Sequence, residues 1–225
     1  MSGLDAKRTE AARQSKGRSD DAFRNRAVDV LFAAGASGTV VDFGAGAGSV
    51  ARRLAADARV GRVVALDIVD YGERDDTIEW IRADLNEPLP LADSSADAIV
   101  AVEVIEHLEN PRAVAREWHR ILRPGGLVVL TTPNNESWRS LAALVGDGHF
   151  AAFRGASYPG HVTALLREDV RRVLVEAGFG ELDFFYSDSG SIPKLTRLTW
   201  QRLSAGTLRG RRYSDNVGCL ARKPR

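Results

Sequence analysis

The chain has 225 residues, of which 44% are hydrophobic and 27% charged, and its formal net charge is +1. This composition is typical of a soluble globular domain with a full core, and it lacks the general basic character of a nucleic-acid-binding protein. A single cysteine, Cys219, excludes an internal disulfide and any multi-cysteine metal site, so we expect a reducing, cytoplasmic location. We see neither a secretory signal nor an apolar run of membrane-spanning length, and expect no stable membrane insertion.

The first part of the chain predicts a flexible tail followed by a helix. Residues 1–18 are polar with mixed charges, which is typical of a tail that has no core of its own. Ser19 or Asp20 can cap a helix that continues to about Ala34, where Gly35 ends it. We expect residues 19–225 to form a single domain.

Five short apolar runs then predict five strands. Continuous Val, Ile and Leu residues, without alternation, indicate strands that are buried on both faces, as in a parallel sheet. The five predicted strands are Thr39–Phe43, Arg62–Asp67, Ile78–Ala83, Asp97–Val102 and Leu127–Thr131.

Helical patterns separate several of these runs. Val50–Ala58 follows the first strand, and the pair Asn110-Pro111 opens a helix that continues to about Leu122. A later helix has Glu168 and Asp169 in its first turn and ends at Gly178. The alternation of strands and helices predicts a doubly wound α/β sheet.

The C-terminal third predicts two more strands, Glu181–Tyr186 and Asn216–Ala221, with an insertion at residues 187–214 between them. We expect a helix around Pro193–Leu203. The insertion is basic, because Asp188 is its only acid and its cations are Lys194, Arg197, Arg202, Arg209, Arg211 and Arg212. This run could meet an anionic substrate, a second subunit or only water.

A glycine-rich turn follows the first strand. Gly44, Gly46 and Gly48 occupy alternate positions before a helix, where free backbone N–H groups face a crevice. The spacing departs from the G-x-G-x-x-G fingerprint of dinucleotide-binding folds, because position 49 is Ser. The turn therefore indicates a ligand site but argues against NAD.

Acidic residues follow three successive strands. Asp42 lies near the end of the first, Asp67 ends the second and Asp84 follows the third. In open α/β sheets, ligands bind at the carboxyl ends of the strands, so we expect these acids to share one crevice. Asp67 suits the hydroxyls of a ribose, and Asp84 beside the apolar Leu85 suits an adenine.

Five segments in this order resemble the motifs of the class I S-adenosylmethionine-dependent methyltransferases. They are Val40–Gly48, Leu66-Asp67, Ala83–Leu85, Asp97–Pro111 and Leu122–Asn134, and Gly160–Phe179 is similar to a later segment of the small-molecule branch. The branch resembled most contains quinone-pathway and sugar O-methyltransferases. The resemblance implies a Rossmann-like, doubly wound sheet of seven mostly parallel strands, the last of which is antiparallel.

The resemblance also implies S-adenosyl-L-methionine as the cofactor and S-adenosyl-L-homocysteine as its product. The glycine turn would face the methionine part, with Asp42 orienting the turn or meeting the amino group, and Glu103 would lie near the sulfonium. The expected cofactor-binding residues are Asp42, Gly44, Ala45, Gly46, Gly48, Asp67, Ile68, Asp84, Leu85 and Glu103.

Two histidines are candidates for catalysis, because a hydroxyl acceptor benefits from a general base. His107 follows the fourth strand and His161 precedes the later helix, and both should border the methyl-transfer site in this fold. His107 could instead shape its loop through a local hydrogen bond. We expect His119 to be structural or solvated and His149 to line a substrate lid. The aromatic residues of segment 134–158 could form an acceptor pocket or lid, or only bury the loop on the core.

These features predict in-line methyl transfer to a hydroxyl of a sugar or glycan. O-methylation of a phenol or quinone precursor, N-methylation of a small molecule, an NAD-dependent oxidoreductase and a non-catalytic binding module are the alternatives. No nucleic-acid substrate is expected, since the N-P-P-Y type of motif is absent after the fourth strand. No metal site is predicted, although residues 103–107 could hold a magnesium ion with substrate oxygens. We expect a monomer or a homodimer.

Overall fold

The computed structural model describes residues 8–10, 21–70 and 75–225. Its strands are β1 (Gly38–Phe43), β2 (Val60–Asp67), β3 (Ile78–Arg82), β4 (Ala96–Val102), β5 (Leu122–Pro133), β6 (Gly180–Tyr186), β7 (Ser191–Ile192), β8 (Leu195–Thr199) and β9 (Asn216–Arg222). Its α-helices beyond residue 20 are α1 (Asp21–Ala33), α2 (Ser49–Ala55), α3 (Pro111–Ile121), α4 (Trp138–Asp147), α5 (Arg167–Glu176) and α6 (Trp200–Leu203).

Seven strands form the main sheet, in the order β3-β2-β1-β4-β5-β9-β6. Strands β1 to β5 pair in parallel, whereas β9 lies antiparallel between β5 and β6. The predicted doubly wound sheet with an antiparallel last strand is therefore confirmed. The strand order reverses between β1 and β4, and this switch point opens a crevice at the carboxyl ends of both strands.

Two cores cover the two faces of the sheet. Val40 faces the core formed with α1 and α2, whereas Val41 and Phe43 face the core formed with α3 and α5. The Phe43 ring meets the edge of the fully buried Trp118, with ring centroids 5.3 Å apart. Because both faces are covered, β1 and its neighbours are apolar on both sides, which explains their continuous hydrophobic runs.

Most strand bounds agree with the sequence to within a few residues, and two elements differ more. β5 begins at Leu122 rather than Leu127, because Leu122 already pairs with Ala96 of β4. α2 ends at Ala55 rather than Ala58, because the carbonyl of Asp57 accepts the N–H of Val60 in a turn that starts β2. The tail predicted over residues 1–18 and the caps predicted at residues 19 and 20 lie mostly outside the described residues.

The helix predicted around Pro193–Leu203 is wrong for most of its length. β7 and β8 form an antiparallel hairpin, and only Trp200–Leu203 is helical. Pro193 and Lys194 make the hairpin turn, with Lys194 at φ +63°. The threonines of β8 have branched Cβ atoms, which favour extended backbone over helix.

None of the helices in the described part of the chain combines the length and apolar character that crossing a membrane requires.

We predict that Gly190→Ala destabilises the fold by about 1–3 kcal/mol, the usual cost of overpacking. A Cβ at Gly190 would lie 2.4 Å from the backbone oxygen of Tyr213, which has no room to move aside. Urea unfolding would measure the loss. Gly146→Ala in α4 is the matched control, since its Cβ meets nothing within 4 Å; equal stability of both variants would contradict the prediction.

Candidate active site

Three glycines with positive φ shape the turn between β1 and α2. The angles are +83° at Gly44, +54° at Gly46 and +81° at Gly48. A Cβ at Gly44 would lie 2.4 Å from Val104, and one at Gly48 would lie 2.3 Å from Trp80. A Cβ at Gly46 would meet no atom within 4 Å. Packing therefore requires Gly44 and Gly48, whereas the space over Gly46 is open to a ligand.

The carboxylate of Asp67 ties the glycine turn to the end of β2. Its Oδ2 accepts the N–H of Gly46 at 2.8 Å, and its Oδ1 accepts the N–H of Val69 at 2.8 Å. Burial raises the pKa of Asp67, and these backbone donors oppose the rise. Each oxygen has a second lone pair, so the carboxylate retains acceptor capacity for ligand hydroxyls.

Asp42 is buried beneath the turn, with 2% of its surface exposed. It accepts the backbone N–H of Ala51 in the first turn of α2, and its Oδ2 has no hydrogen-bond partner within the described residues. Burial raises its pKa to about 7, and the nearby charge of Asp67 adds to this. A buried carboxylate oxygen without a partner is costly, and a ligand ammonium would satisfy it.

Asp84 meets a residue of the predicted tail. Its Oδ2 accepts Nη1 of Arg8 at 2.7 Å, and its Oδ1 accepts the backbone N–H of Asn86 at 3.0 Å. Burial alone would raise the pKa of Asp84, but these donors outweigh it and the pKa lies below its usual value. Arg8 also forms ion pairs with Glu87 and Glu109. Its guanidinium therefore joins three acids and covers the end of β3 where Asp84 lies.

The other expected cofactor residues line the same edge of the sheet. The N–H of Ala45 and that of Gly44 both bond the carbonyl of Leu66, which holds β2 against the turn. The carbonyl of Ile68 accepts Nε of Arg82. Leu85 is buried in the core beside α3.

A pair of carboxyl groups lies behind the crevice, at the end of β4. Glu103 has φ +54° and accepts Oγ1 of Thr131, and burial raises its pKa to about 7. Glu106 is fully buried and accepts Oγ1 of Thr132. Burial, followed by the charge of Glu103, raises the pKa of Glu106 well above its usual value. Two adjacent carboxyls in a dry site disfavour the doubly charged state.

The rings of His107 and His161 are in direct edge-to-face contact. Their ring centroids are 4.7 Å apart at an interplanar angle of 78°. Nδ1 of His107 lies 2.8 Å from the carbonyl of Gly160, and Nδ1 of His161 lies 2.7 Å from that of Ala152. A carbonyl only accepts, so each Nδ1 carries the proton and each Nε2 has a free lone pair.

Burial keeps both imidazoles neutral. It lowers the pKa of His107 to about 4, and the neighbouring His161 adds to that shift. It also lowers the pKa of His161. Both rings are therefore in the base form at neutral pH, and His107 is the weaker base of the two.

The same corner contains a possible set of metal donors. Ligand atoms of Glu106, His107 and His161 lie within 4.8 Å of one another, and Oε1 of Glu106 has no hydrogen-bond partner in the described chain. Two imidazoles and one carboxylate match the preference of transition metals rather than that of magnesium, which favours oxygen ligands. Metal binding would occupy both Nε2 lone pairs and remove them as bases.

The aromatic residues of segment 134–158 have different surroundings. The ring of Phe153 lies against His161, with centroids 5.4 Å apart. Trp138 is 45% exposed beneath the guanidinium of Arg212, and Tyr158 is 72% exposed. Of the remaining histidines, His119 packs edge-on against Phe179, in agreement with its predicted structural role.

Sequence reasoning missed the residues that support this site from a distance. Thr131 ends a predicted strand and Thr132 directly follows it, and nothing in the sequence marks either residue as a partner of the two glutamates. Arg8 lay in the predicted tail. The motif of Glu106 beside His107 was the one available signal for the buried carboxyl.

The sequence of residues 41–130 matches the methyltransferase domain family. A protein of Mycobacterium tuberculosis named as a probable S-adenosylmethionine-dependent methyltransferase is 32% identical over 145 residues, which is 62% of this chain and 48% of that protein. Residues 41–130 therefore match a methyltransferase domain, and the chain is similar to class I S-adenosylmethionine-dependent methyltransferases. The cofactor of this family is S-adenosylmethionine, and the open space over Gly46 and the unpartnered Oδ2 of Asp42 fit such a ligand.

Two further proteins are similar to this chain, one in sequence and one in structure. A ubiquinone biosynthesis O-methyltransferase of Pseudomonas paraeruginosa is 31% identical over 120 residues, or 48% of this chain and 50% of that protein. A protein solved in complex with the Haloferax volcanii Trm112 methyltransferase activator has a TM-score of 0.67 at 21% identity, covering 99% of this chain and 98% of that chain. The chain spans about half the length of the relatives that it matches by sequence.

We predict that Asp42→Asn changes the pH dependence of stability in a defined direction. The pKa of about 7 in the folded protein exceeds the ordinary 3.8, so the folded state holds more protons between these values. Asp42 therefore lowers stability as pH rises through this window, and the variant should gain stability relative to the wild type between pH 5 and pH 8. Urea unfolding at both pH values would measure this gain.

Asp57→Asn is the control for this prediction. Asp57 is half-buried at the surface, and its hydrogen bonds with Arg59 lower its pKa to about 2. Its titration is complete below pH 5, so the stability difference from the wild type should stay constant over the window. A constant difference for Asp42→Asn as well would contradict the burial argument.

Proposed function

We propose that the protein transfers a methyl group from S-adenosylmethionine to a hydroxyl of a small molecule, with His161 as the general base. The observation that carries the proposal is the neutral imidazole of His161, which has a free Nε2 lone pair close to Glu106 and His107 in the segment after β4. The backbone supports this placement, because the carbonyl of Glu106 accepts the N–H groups of Val162 and Thr163 and joins the His161 loop to the end of β4.

The cofactor roles follow from the acids and the glycine turn. Asp42 would bind the ammonium of the methionine part, Asp67 the ribose hydroxyls, and Asp84 with Leu85 the adenine. Ala45 and Ile68 would contribute backbone contacts, and Glu103 would lie near the sulfonium. The support is the unpartnered Oδ2 of Asp42 and the free lone pairs of Asp67.

His161 is preferred to His107 as the base. A pKa of about 4 makes His107 a poor proton acceptor, and its Nε2 lies 4.0 Å from Oε1 of Glu106. We propose that His107 positions the acceptor and limits the movement of the His161 ring through their edge-to-face contact.

In the proposed reaction, the methyl group comes from the cofactor and His161 accepts a proton. When bound, the cofactor supplies a methyl carbon that its sulfonium already activates for in-line displacement. His161 would take the acceptor proton at Nε2, so that the acceptor oxygen can bond to the methyl carbon while the methyl–sulfur bond breaks and sulfur keeps its electron pair. The neutral imidazole becomes an imidazolium, and its Nδ1–H bond to the carbonyl of Ala152 stabilises that charge.

For the acceptor we propose a sugar or glycan hydroxyl, as the sequence branch suggests. A phenol or quinone precursor is the second candidate, and the name of the Pseudomonas relative favours it. The ring of Phe153 beside His161 would suit either a sugar face or an aromatic ring. We also propose a single-domain, cytoplasmic protein that is a monomer or homodimer and does not act on nucleic acid.

We predict that Asp67→Ala weakens binding of S-adenosylhomocysteine by about 10- to 100-fold, the effect of losing hydrogen bonds to a charged group. Isothermal titration would measure it. Glu79→Ala is the control, because this exposed acid of β3 pairs only with Arg62 in the described chain. Tight binding of NAD by the wild type, with no binding of S-adenosylhomocysteine, would overturn the proposed cofactor.

We predict that His161→Ala lowers kcat by about 10²- to 10⁴-fold while binding of S-adenosylhomocysteine is retained. In the wild type, the acid limb of the kcat–pH profile should lie below pH 6.5, because burial lowers the pKa of His161. The assay uses labelled S-adenosylmethionine with oligosaccharides, phenols and amines as acceptors.

His119→Ala is the control for this experiment, since His119 packs against Phe179 rather than against His161. Retention of the wild-type kcat in His161→Ala would exclude His161 as the base. Loss of wild-type activity in a chelator, with recovery on adding a transition metal, would instead assign both Nε2 atoms to a metal.

A further inference from the structure

The hairpin of β7 and β8, with the turn that follows it, exposes large apolar side chains. We call residues 191–209 the hairpin surface. Leu195 is 57% exposed, Leu198 46% and Leu203 69%. Leu195 and Leu198 lie on opposite faces of β8, so neither face of this strand is covered by the rest of the chain that the structure describes. Three exposed leucines within one short segment indicate an interaction surface.

The same segment carries cations that have no ion-pair partner among the described residues. Lys194, Arg197, Arg202 and Arg209 are exposed, and none of them makes an ion pair within residues 8–10, 21–70 and 75–225. Asp188, the only acid of the insertion, is occupied by Arg26 at 2.9 Å and by the N–H of Gly210. The hairpin surface is therefore strongly positive on a protein whose formal net charge is only +1.

The base of the hairpin is held firmly. The side chain of Gln201 accepts the N–H of Gly190 and donates to the carbonyls of Leu208 and Tyr213. The ring of Trp200 meets that of Tyr213 edge-on. A two-stranded hairpin is marginal in water by itself, so this anchoring presents residues 194–198 in an ordered form.

Three kinds of partner could meet a positive surface, and the leucines distinguish them. A single-stranded nucleic acid needs exposed aromatic rings for stacking, whereas the exposed large side chains here are aliphatic. A second copy meeting this face symmetrically would bring two sets of unpaired cations together. In an anionic bilayer, leucines enter the acyl boundary while Lys and Arg stay among the headgroups.

We propose that the hairpin surface binds reversibly to a membrane that carries anionic lipids. Leu195, next to the turn of the hairpin, and Leu203 would enter the interface, and the four unpaired cations would contact the headgroups. Such binding is peripheral and needs no spanning helix. It is independent of the proposed methyl transfer, and it would place the adjacent α4, which contacts β7, near the membrane.

Co-sedimentation of the purified full chain with vesicles tests this proposal. Vesicles of phosphatidylcholine alone are compared with vesicles containing about 30% phosphatidylglycerol, at about 0.1 M and about 0.5 M salt. The wild type should partition onto the anionic vesicles at low salt and be released at high salt. S-adenosylhomocysteine binding, measured separately, reports on the proposed function and should be the same in all variants.

Two variants and one control locate the surface. Lys194→Gln with Arg197→Gln should reduce the partition coefficient about 30-fold, since each cation near an anionic membrane contributes about fivefold. Leu195→Ser with Leu203→Ser should reduce it at least about tenfold. Arg116→Gln with Arg172→Gln removes the same charge from α3 and α5 and should have little effect.

Several results would overturn the proposal. They are absence of wild-type binding to anionic vesicles, equal binding to neutral vesicles, and equal loss in the control and hairpin variants. Hairpin-dependent binding of a labelled single-stranded RNA without vesicle binding would assign the surface to nucleic acid instead. The salt dependence of the wild type needs no variant, so the absence of salt-sensitive binding to anionic vesicles overturns the proposal even if a substitution prevents folding.

Discussion

The hydrogen bond from the Gly46 N–H to Asp67 is the contact on which the candidate site depends. It joins the turn after β1 to the end of β2, so two neighbouring strands and the start of α2 become one unit. Asp42 reinforces the unit from below by accepting the N–H of Ala51 at the helix N-terminus. A buried acid here is stabilised by the helix dipole but not fully paired, which leaves room for a ligand cation.

On the opposite side of the crevice, burial disfavours the charged forms of the ionisable side chains. Burial raises the pKa of Glu103 to about 7 and lowers that of His107 to about 4. Acids that favour the protonated form and imidazoles that favour the neutral form reduce the electrostatic cost of a dry corner. A charge that forms here during a reaction would have few other charges near it. In such a low-dielectric environment, each fixed hydrogen bond to that charge is stronger than in water.

The sequence predicted those features that arise from local patterns. The strands follow from apolar runs, and the turn follows from glycines, which tolerate positive φ. The acids at the ends of β1, β2 and β3 follow from the positions at which the apolar runs stop. Contacts between distant segments left no local signal. The Arg8–Asp84 pair joins residues 76 positions apart, and the edge-to-face rings of His107 and His161 depend on how a long loop returns to the sheet. The spacing of Leu195, Leu198 and Leu203 favours a helix. The turn at Pro193 and Lys194 and the threonines of β8 instead favour the hairpin that the chain forms.

The position of β9 has a consequence for how the chain reaches this structure. β9 comes last in sequence order but lies inside the sheet, where it pairs with β5 on one side and β6 on the other. Until residues 216–222 arrive, β5 has an open edge and β6 has no strand to pair with. The parallel half of the sheet can form early during synthesis, whereas the antiparallel half must wait. During that interval the open edge of β5 is the part of the chain most exposed to aggregation.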